Sequence, residues 1–198
     1  MLRAMPSTSP PITIDPLVPG SAAAFFRFFD GEAFADNPEW ASCYCRFPFF
    51  DHARGGWDEQ SAADNRSGTA ARIARRNMQG YLARAEGQVV GWVNAGPSRL
   101  YPPDNLGGAA LTGDRIGHIL CFVVAPSWRR RGVARALLDA ACEGLKIQGM
   151  THAQANPRRG ASGDAANHHG PLALYLEAGF EVMGEDPTDG SLHVRRPL

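Results

Sequence analysis

The 198 residues are enough for one domain with a proper core, whereas two domains would each be small. The 20 lysines and arginines balance 20 aspartates and glutamates, so no global field draws the chain to nucleic acid or to an anionic membrane. No apolar run approaches membrane-spanning length. Cys43, Cys45, Cys121 and Cys142 do not read as a disulfide framework, and reduced thiols in a cytoplasmic protein are the expectation.

Residues 1–10 lack the apolar core of a signal peptide and read as a flexible tail, leaving 11–198 as a single domain. Ile12 to Val18 alternates as a first strand. Ser21 caps a helix over Ala22 to Phe29, whose four phenylalanines supply core. Gly31 to Trp57 is aromatic and irregular, too apolar for a linker, and is expected to pack against the domain. Ala62 to Met78 reads as a second helix. Tyr81–Ala85 and Val89–Ala95 form a hairpin about Gly87, and Gly96 to Arg115 is a long Pro/Gly-rich connection.

Ile116 to Val124 is a nearly continuous apolar run that ends before Pro126, the pattern of a buried central strand. Beyond it Val133, Leu137, Leu138, Ala141, Cys142 and Leu145 recur with helical period, and Gly149 is a C-cap. Thr151 to Asn156 is the next strand, and residues 157–166 form a small-residue loop. A helix beginning at Asn167, with Pro171 in its first turn, stops at Gly179. Strands over Glu181 to Gly184 and Ser191 to Arg195 close the sheet.

Between strand and helix lie Arg129, Arg130, Arg131, Gly132, Val133, Ala134 and Arg135. A helix start has unpartnered N–H groups and partial positive charge, which suits a phosphate or pyrophosphate. The segment has neither the P-loop nor the Gly-x-Gly-x-x-Gly pattern. Val124-Ala-Pro126 followed by Arg129-x-x-Gly132-x-Ala134 resembles instead the acetyl-CoA loop of the GNAT acyltransferases. Leu174-Tyr175 ahead of Gly179-Phe180 is similar to the second signature of that family, and the Trp40-x-x-Cys43-x-Cys45 segment resembles one found in some bacterial members.

The resemblance implies an α/β (α+β) GNAT fold: a central mixed, mostly antiparallel sheet of six to seven strands flanked by helices, with a V-shaped opening between the central strands. It also implies acetyl-CoA as cosubstrate, with transfer of the acetyl group directly to an amine of a small-molecule or peptide acceptor. By that resemblance the backbone of Phe122, Val123 and Val124 pairs with the pantetheine arm, and Tyr175 protonates the leaving thiolate. The usual spacing puts a pantetheine-binding asparagine at His168, so Asn167, one residue earlier, is the candidate.

An attacking amine must lose a proton, its free pKa being about 10.4 for a lysine-like group, so a base is needed. Many family members carry a glutamate eight residues before the proline. The residue there is His118, able to accept a proton at neutral pH. Trp40, Tyr44, Phe47, Trp57, Arg99 and Tyr101 are candidate acceptor contacts, and Arg46, Arg54 and Arg99 hint at an acceptor carboxylate. Nothing in the sequence stabilises a thiolate at Cys43 or Cys45, and neither these with His52 nor His168 with His169 have the spacing of a metal site. Two other readings stay open: a non-catalytic CoA-binding sensor, and a nucleic-acid binder, which zero net charge disfavours. Oligomeric state is left open, a homodimer included.

Overall fold

The computed structural model describes residues 10–106, 115–160, 163 and 167–198. The expected tail and much of the two Gly-rich connections lie outside the described residues. The strands are β1 (Thr13–Pro16), β2 (Gly80–Ala85), β3 (Gln88–Pro97), β4 (Ile116–Val124), β5 (His152–Ala155), β6 (Glu181–Glu185) and β7 (Leu192–Pro197). They form one sheet in the order β1-β2-β3-β4-β5-β7-β6. All neighbours are antiparallel except β4 and β5, whose parallel pairing requires a crossover. The sheet is the mixed, mostly antiparallel one expected.

Helix α1 (Ala22–Phe29) and α2 (Ala62–Ala74) belong to one side, α3 (Val133–Ile147) and the short α4 (Leu172–Glu177) to the other. On the first side Phe25, Phe26, Phe28 and Phe29 bury against Leu82, Trp92, Leu120 and Val123. On the second, Val133, Leu137, Leu138, Ala141, Cys142 and Leu145 bury against Ala83, Val93, Ile119 and Ala153. Each large aliphatic side chain so buried contributes about 1.5–3 kcal/mol.

Helix ends follow local chemistry. Ser61 and Asp64 make a capping box at the start of α2, the Ser61 Oγ accepting from the Asp64 N–H at 3.1 Å. The helix stops at Ala74 rather than reaching Met78: Asn77 N–H bonds the Arg72 carbonyl and Arg76 N–H that of Ile73, with Arg76 left-handed at φ 58, a Schellman stop in which arginine takes the position usual for glycine. Gly149 ends α3 and Gly179 ends α4 by the same bonds, both at φ 81. At the front of α4, residues 167–170 are a turn and Pro171 is the N-cap, so this helix is shorter than expected.

Two features govern β4. Asn94 of β3 pairs with Cys121 and Ala95 with Ile119, so Leu120 is an extra residue, a β-bulge. Pairing with β5 covers Ile116 to Ile119 only. Beyond that point the two strands part, which is the V-shaped opening expected.

Gly117 brings β4 against α3, since a Cβ there would lie 2.4 Å from Leu145 Cδ2. Gly117→Ala is expected to cost about 1–3 kcal/mol by overpacking, read by urea denaturation, and Leu145→Ala in the same chain should return part of that loss. His118 is wholly buried with no partner for either ring nitrogen among the described residues, and burial lowers its pKa from 6.5 to about 4. The unfolded chain therefore takes up this proton first, so the contribution is intact above the unfolded pKa and is lost as pH falls toward the folded one. Stability should drop by about 1.4 kcal/mol per pH unit for this proton over that window, and His118→Phe should flatten the profile by that slope.

Candidate functional site

The cofactor half of the site begins where β4 runs out. Pro126–Trp128 form one tight turn, then Arg130 at φ 58 and Gly132 at φ 83 swing the chain into α3. The first helical bond runs from Ala136 N–H to the Gly132 carbonyl at 3.0 Å, and among the described residues no side chain caps the helix. The N–H groups of Val133, Ala134 and Arg135 thus have no carbonyl within the helix to bond. A Cβ placed on Gly132 would meet nothing within 4 Å, so the space before these groups is open.

The arginines around this start diverge rather than converge. Arg129 Nε donates to the Val124 carbonyl at 3.1 Å, and its guanidinium grips Asp36 with two further bonds, one of 3.0 Å. That pairing holds the Asp36 carboxyl below the usual carboxylate range. Arg131 lies over the Trp128 ring at 5.1 Å, and Arg135 pairs with Asp139 at 3.1 Å. Arg130 is exposed and makes no ion pair among the described residues. Arg129 therefore ties the segment after α1 to the end of β4, while Arg130 and Arg131 leave exposed positive charge at the helix start.

A cleft of about 1300 Å³ runs from this helix start along Leu120–Val124 to the aromatic segment after α1. Where β4 and β5 part, the turn 167–170 is docked in the gap. Phe122 N–H donates to the His168 carbonyl at 2.6 Å, and the His169 ring N–H bonds the Leu120 backbone, burial lowering that ring to about 3. The Tyr175 hydroxyl donates to the His169 carbonyl at 2.6 Å. In this arrangement Phe122, expected to pair with pantetheine, already has a partner. Asn167 turns back on its own loop, its Nδ2 donating to the Gly163 carbonyl at 3.0 Å.

His118 and Tyr175 are both 0% exposed, and neither lines the cleft. For His118 this is a correction: a ring with no exposed surface, held neutral by burial, cannot take a proton directly from an acceptor in the cleft. Tyr175 is braced behind the turn, with burial pushing its phenol pKa up.

Of the expected acceptor contacts, Trp40, Phe47 and Trp57 line the cleft, Trp40 with its ring 4.8 Å from that of His168. Tyr44 faces the other way: its hydroxyl donates to Asp30 at 2.9 Å. Tyr101 is buried, stacked on Phe49 at 4.9 Å and donating to Asn94 Oδ1 at 2.7 Å. Arg46, Arg54 and Arg99 are absent from the cleft wall. Sequence reasoning passed over Asp36, Glu39 and Asp189, which do line it, and set aside Cys43 and Cys45, which with Cys121 line it as well. The Cys-x-Cys spacing was the available signal for the first two cysteines.

Among the described residues no helix is long and apolar enough to cross a membrane, and no three His, Cys, Asp or Glu side chains are grouped to hold a metal ion. No curated protein matches the sequence. Among solved structures, the chain is similar to the PaiA N-acetyltransferase of Thermoplasma acidophilum in complex with coenzyme A, at TM-score 0.58 and 13% identity over 95% of this chain and 99% of that one. It is also similar to a GCN5-related N-acetyltransferase from Kribbella flavida, at TM-score 0.55 and 23% identity over 94% and 98%. A third likeness is to yncA, a putative acetyltransferase from Salmonella typhimurium with its cofactor acetyl-CoA, at TM-score 0.57 and 15% identity over 94% of each chain. The sequence model of the acetyltransferase (GNAT) family matches residues 38–180, a span holding β4, the arginine loop, α3 and α4, and the chain accordingly belongs to that family of acetyl-CoA-dependent acyltransferases.

Proposed function

We propose that residues 11–198 form one N-acetyltransferase domain that moves the acetyl group of acetyl-CoA to an amine. The observation that carries this reading is the uncapped, glycine-opened start of α3 at one end of a cleft that follows β4. Pyrophosphate binds there through the N–H groups of Val133, Ala134 and Arg135, with Arg130 and Arg131 adding charge. The pantetheine arm then runs along β4 as a strand added to an open edge. The PaiA and yncA structures, which hold coenzyme A and acetyl-CoA, support the same cosubstrate here.

The arm can use the Phe122 N–H only by replacing the His168 carbonyl, so cosubstrate binding displaces the turn 167–170. That movement also withdraws the His169 carbonyl from Tyr175 and leaves its hydroxyl free to protonate the departing thiolate. The acceptor enters from the side of Trp40 and Trp57. Glu39, a cleft-wall carboxylate with no ion pair among the described residues, favours a cationic amine there.

Calorimetry of acetyl-CoA against an Arg130→Glu/Gly132→Glu variant tests the anion site: binding should weaken by at least about tenfold, or about 1.4 kcal/mol, while undiminished affinity would place the cosubstrate elsewhere. Hydrogen exchange tests the displaced turn. On addition of CoA the amide of Gly170, bonded to the Asn167 carbonyl at 2.7 Å, should lose protection while that of Phe122 keeps it. Unchanged protection of Gly170 would mean that the arm binds without moving the turn.

A further inference from the structure

The cleft wall that faces β4 holds aromatic side chains in the open by bonding the backbone that carries them. Each carbonyl from Phe47 to Phe50 has a side-chain donor. His52 Nε2 donates to that of Phe47 at 3.0 Å. Asn105 Nδ2 donates to those of Pro48 and Phe50 at 3.0 and 2.7 Å, and Arg72 Nη2 to that of Phe49 at 3.2 Å. The segment so held presents Phe47, 49% exposed, with the Trp57 ring edge-on to it at 4.9 Å between centroids. Trp40, on the same wall, is 38% exposed. Among the described residues, Trp40 and Phe47 are the Phe, Trp and Tyr side chains with more than a third of their surface exposed, and both line the cleft. Aromatic surface kept bare on a pinned backbone is suited to being covered by a ligand.

Charge narrows the choice of ligand. Of the three carboxylates on the cleft wall, Asp36 is held by Arg129 and Asp189 by Arg158, the latter at 3.2 Å. Glu39, one residue before Trp40, has no ion pair among the described residues. Arg129, Arg135 and Arg158 are each paired with an aspartate, and Arg130 belongs to the anion site. Among the described residues the wall thus offers no arginine or lysine of its own to an acceptor carboxylate. One uncompensated negative charge suits one ammonium group, whereas the further charges of a polyamine would lie against aromatic surface without a counter-charge.

We propose that the acceptor is a monoamine carried on an aromatic body, an arylalkylamine without a carboxylate, an inference that rests on the acetyl-CoA reading above. Its ammonium is drawn in by Glu39 and by the face of Trp40. Its ring packs against Phe47 and Trp57. A flat ring meets these faces without the ordering that a flexible chain requires, and ring pairs gain attraction beyond the area they bury. Phe47 is therefore a specificity-determining residue, and Glu39 sets the preference for a single positive charge.

The test compares four acceptors on the full chain with acetyl-CoA, following thiol release: phenethylamine, hexylamine, spermidine and phenylalanine. For phenethylamine kcat/KM should exceed that for hexylamine by at least about fivefold, and that for the other two by at least about tenfold. Phe47→Ala should remove most of the preference over hexylamine, through KM rather than kcat, and Phe47→Tyr should restore it. A general structural defect would lower both amines alike. Glu39→Gln should raise KM for phenethylamine. Equal use of hexylamine and phenethylamine, a preference for spermidine or phenylalanine, or an unchanged preference in Phe47→Ala would overturn the aromatic acceptor site. Acetyl-CoA bound in calorimetry with none of the four acetylated would also overturn it, and would leave the cosubstrate reading standing. Absence of acetyl-CoA binding would overturn both.

Discussion

The site depends on one interruption of the sheet. β4 and β5 pair only as far as Ile119 and Ala155, because Leu120 is an extra residue on β4 and the chain after β5 runs into Pro157, which has no N–H to continue a ladder. The polar backbone of β4 beyond that point still has to be satisfied. In the described chain the Phe122 N–H and the Leu120 carbonyl are satisfied by His168 and His169. A ligand that pairs with β4 therefore exchanges one set of hydrogen bonds for another. Each such bond is worth about 0.5–1.5 kcal/mol net, so the strand edge adds direction and register more than affinity. The affinity has to come from the anion site and from apolar contact along the cleft.

The anion site in turn shows why a cluster of charges in a sequence is not a cluster in space. Four arginines fall within seven residues, yet Arg129 reaches back to Asp36, Arg131 lies over Trp128 and Arg135 pairs along its own helix. An exposed pair such as Arg135 with Asp139 is worth little. The bidentate pair of Arg129 with Asp36 does more, because it fixes the loop after α1 beside the end of β4 and so gives the cleft its second wall.

What the sequence revealed followed from local rules. The glycine stops at 149 and 179, the apolar period of α3 and the continuous apolar run of β4 each depend on residues near one another in the chain, and each was legible. The end of α2 was not, because Arg76 takes the left-handed place that a reader assigns to glycine. Counting back from Pro126 found the position of His118 along β4 but not its surroundings. The extra residue at 120 breaks the alternation of sides on which such counting relies, and the ring ends under Tyr101, 6.4 Å between centroids. The motif points to Tyr175, but its bond to the His169 carbonyl depends on a turn at 167–170 where the sequence predicts helix.

The cysteine-bearing segment is where local rules were broken most. Consecutive left-handed residues at Tyr44 and Cys45 cost on the order of 1–3 kcal/mol each, and the sequence offers no glycine to lower that cost. Behind that segment Asn94 Nδ2 donates to the Cys45 Sγ at 3.4 Å, while the buried Trp92 indole N–H has no hydrogen-bond partner among the described residues, at about 1–3 kcal/mol for an unsatisfied group. An apolar side chain in place of Trp92 would avoid the second cost, and glycine at the two left-handed positions the first. The strained backbone at these two residues holds the Cys45 sulfur against β4 rather than in solvent. Chains that depart from local preference do so chiefly at functional sites, and here the strained pair ends in Cys45, on the wall of the cleft.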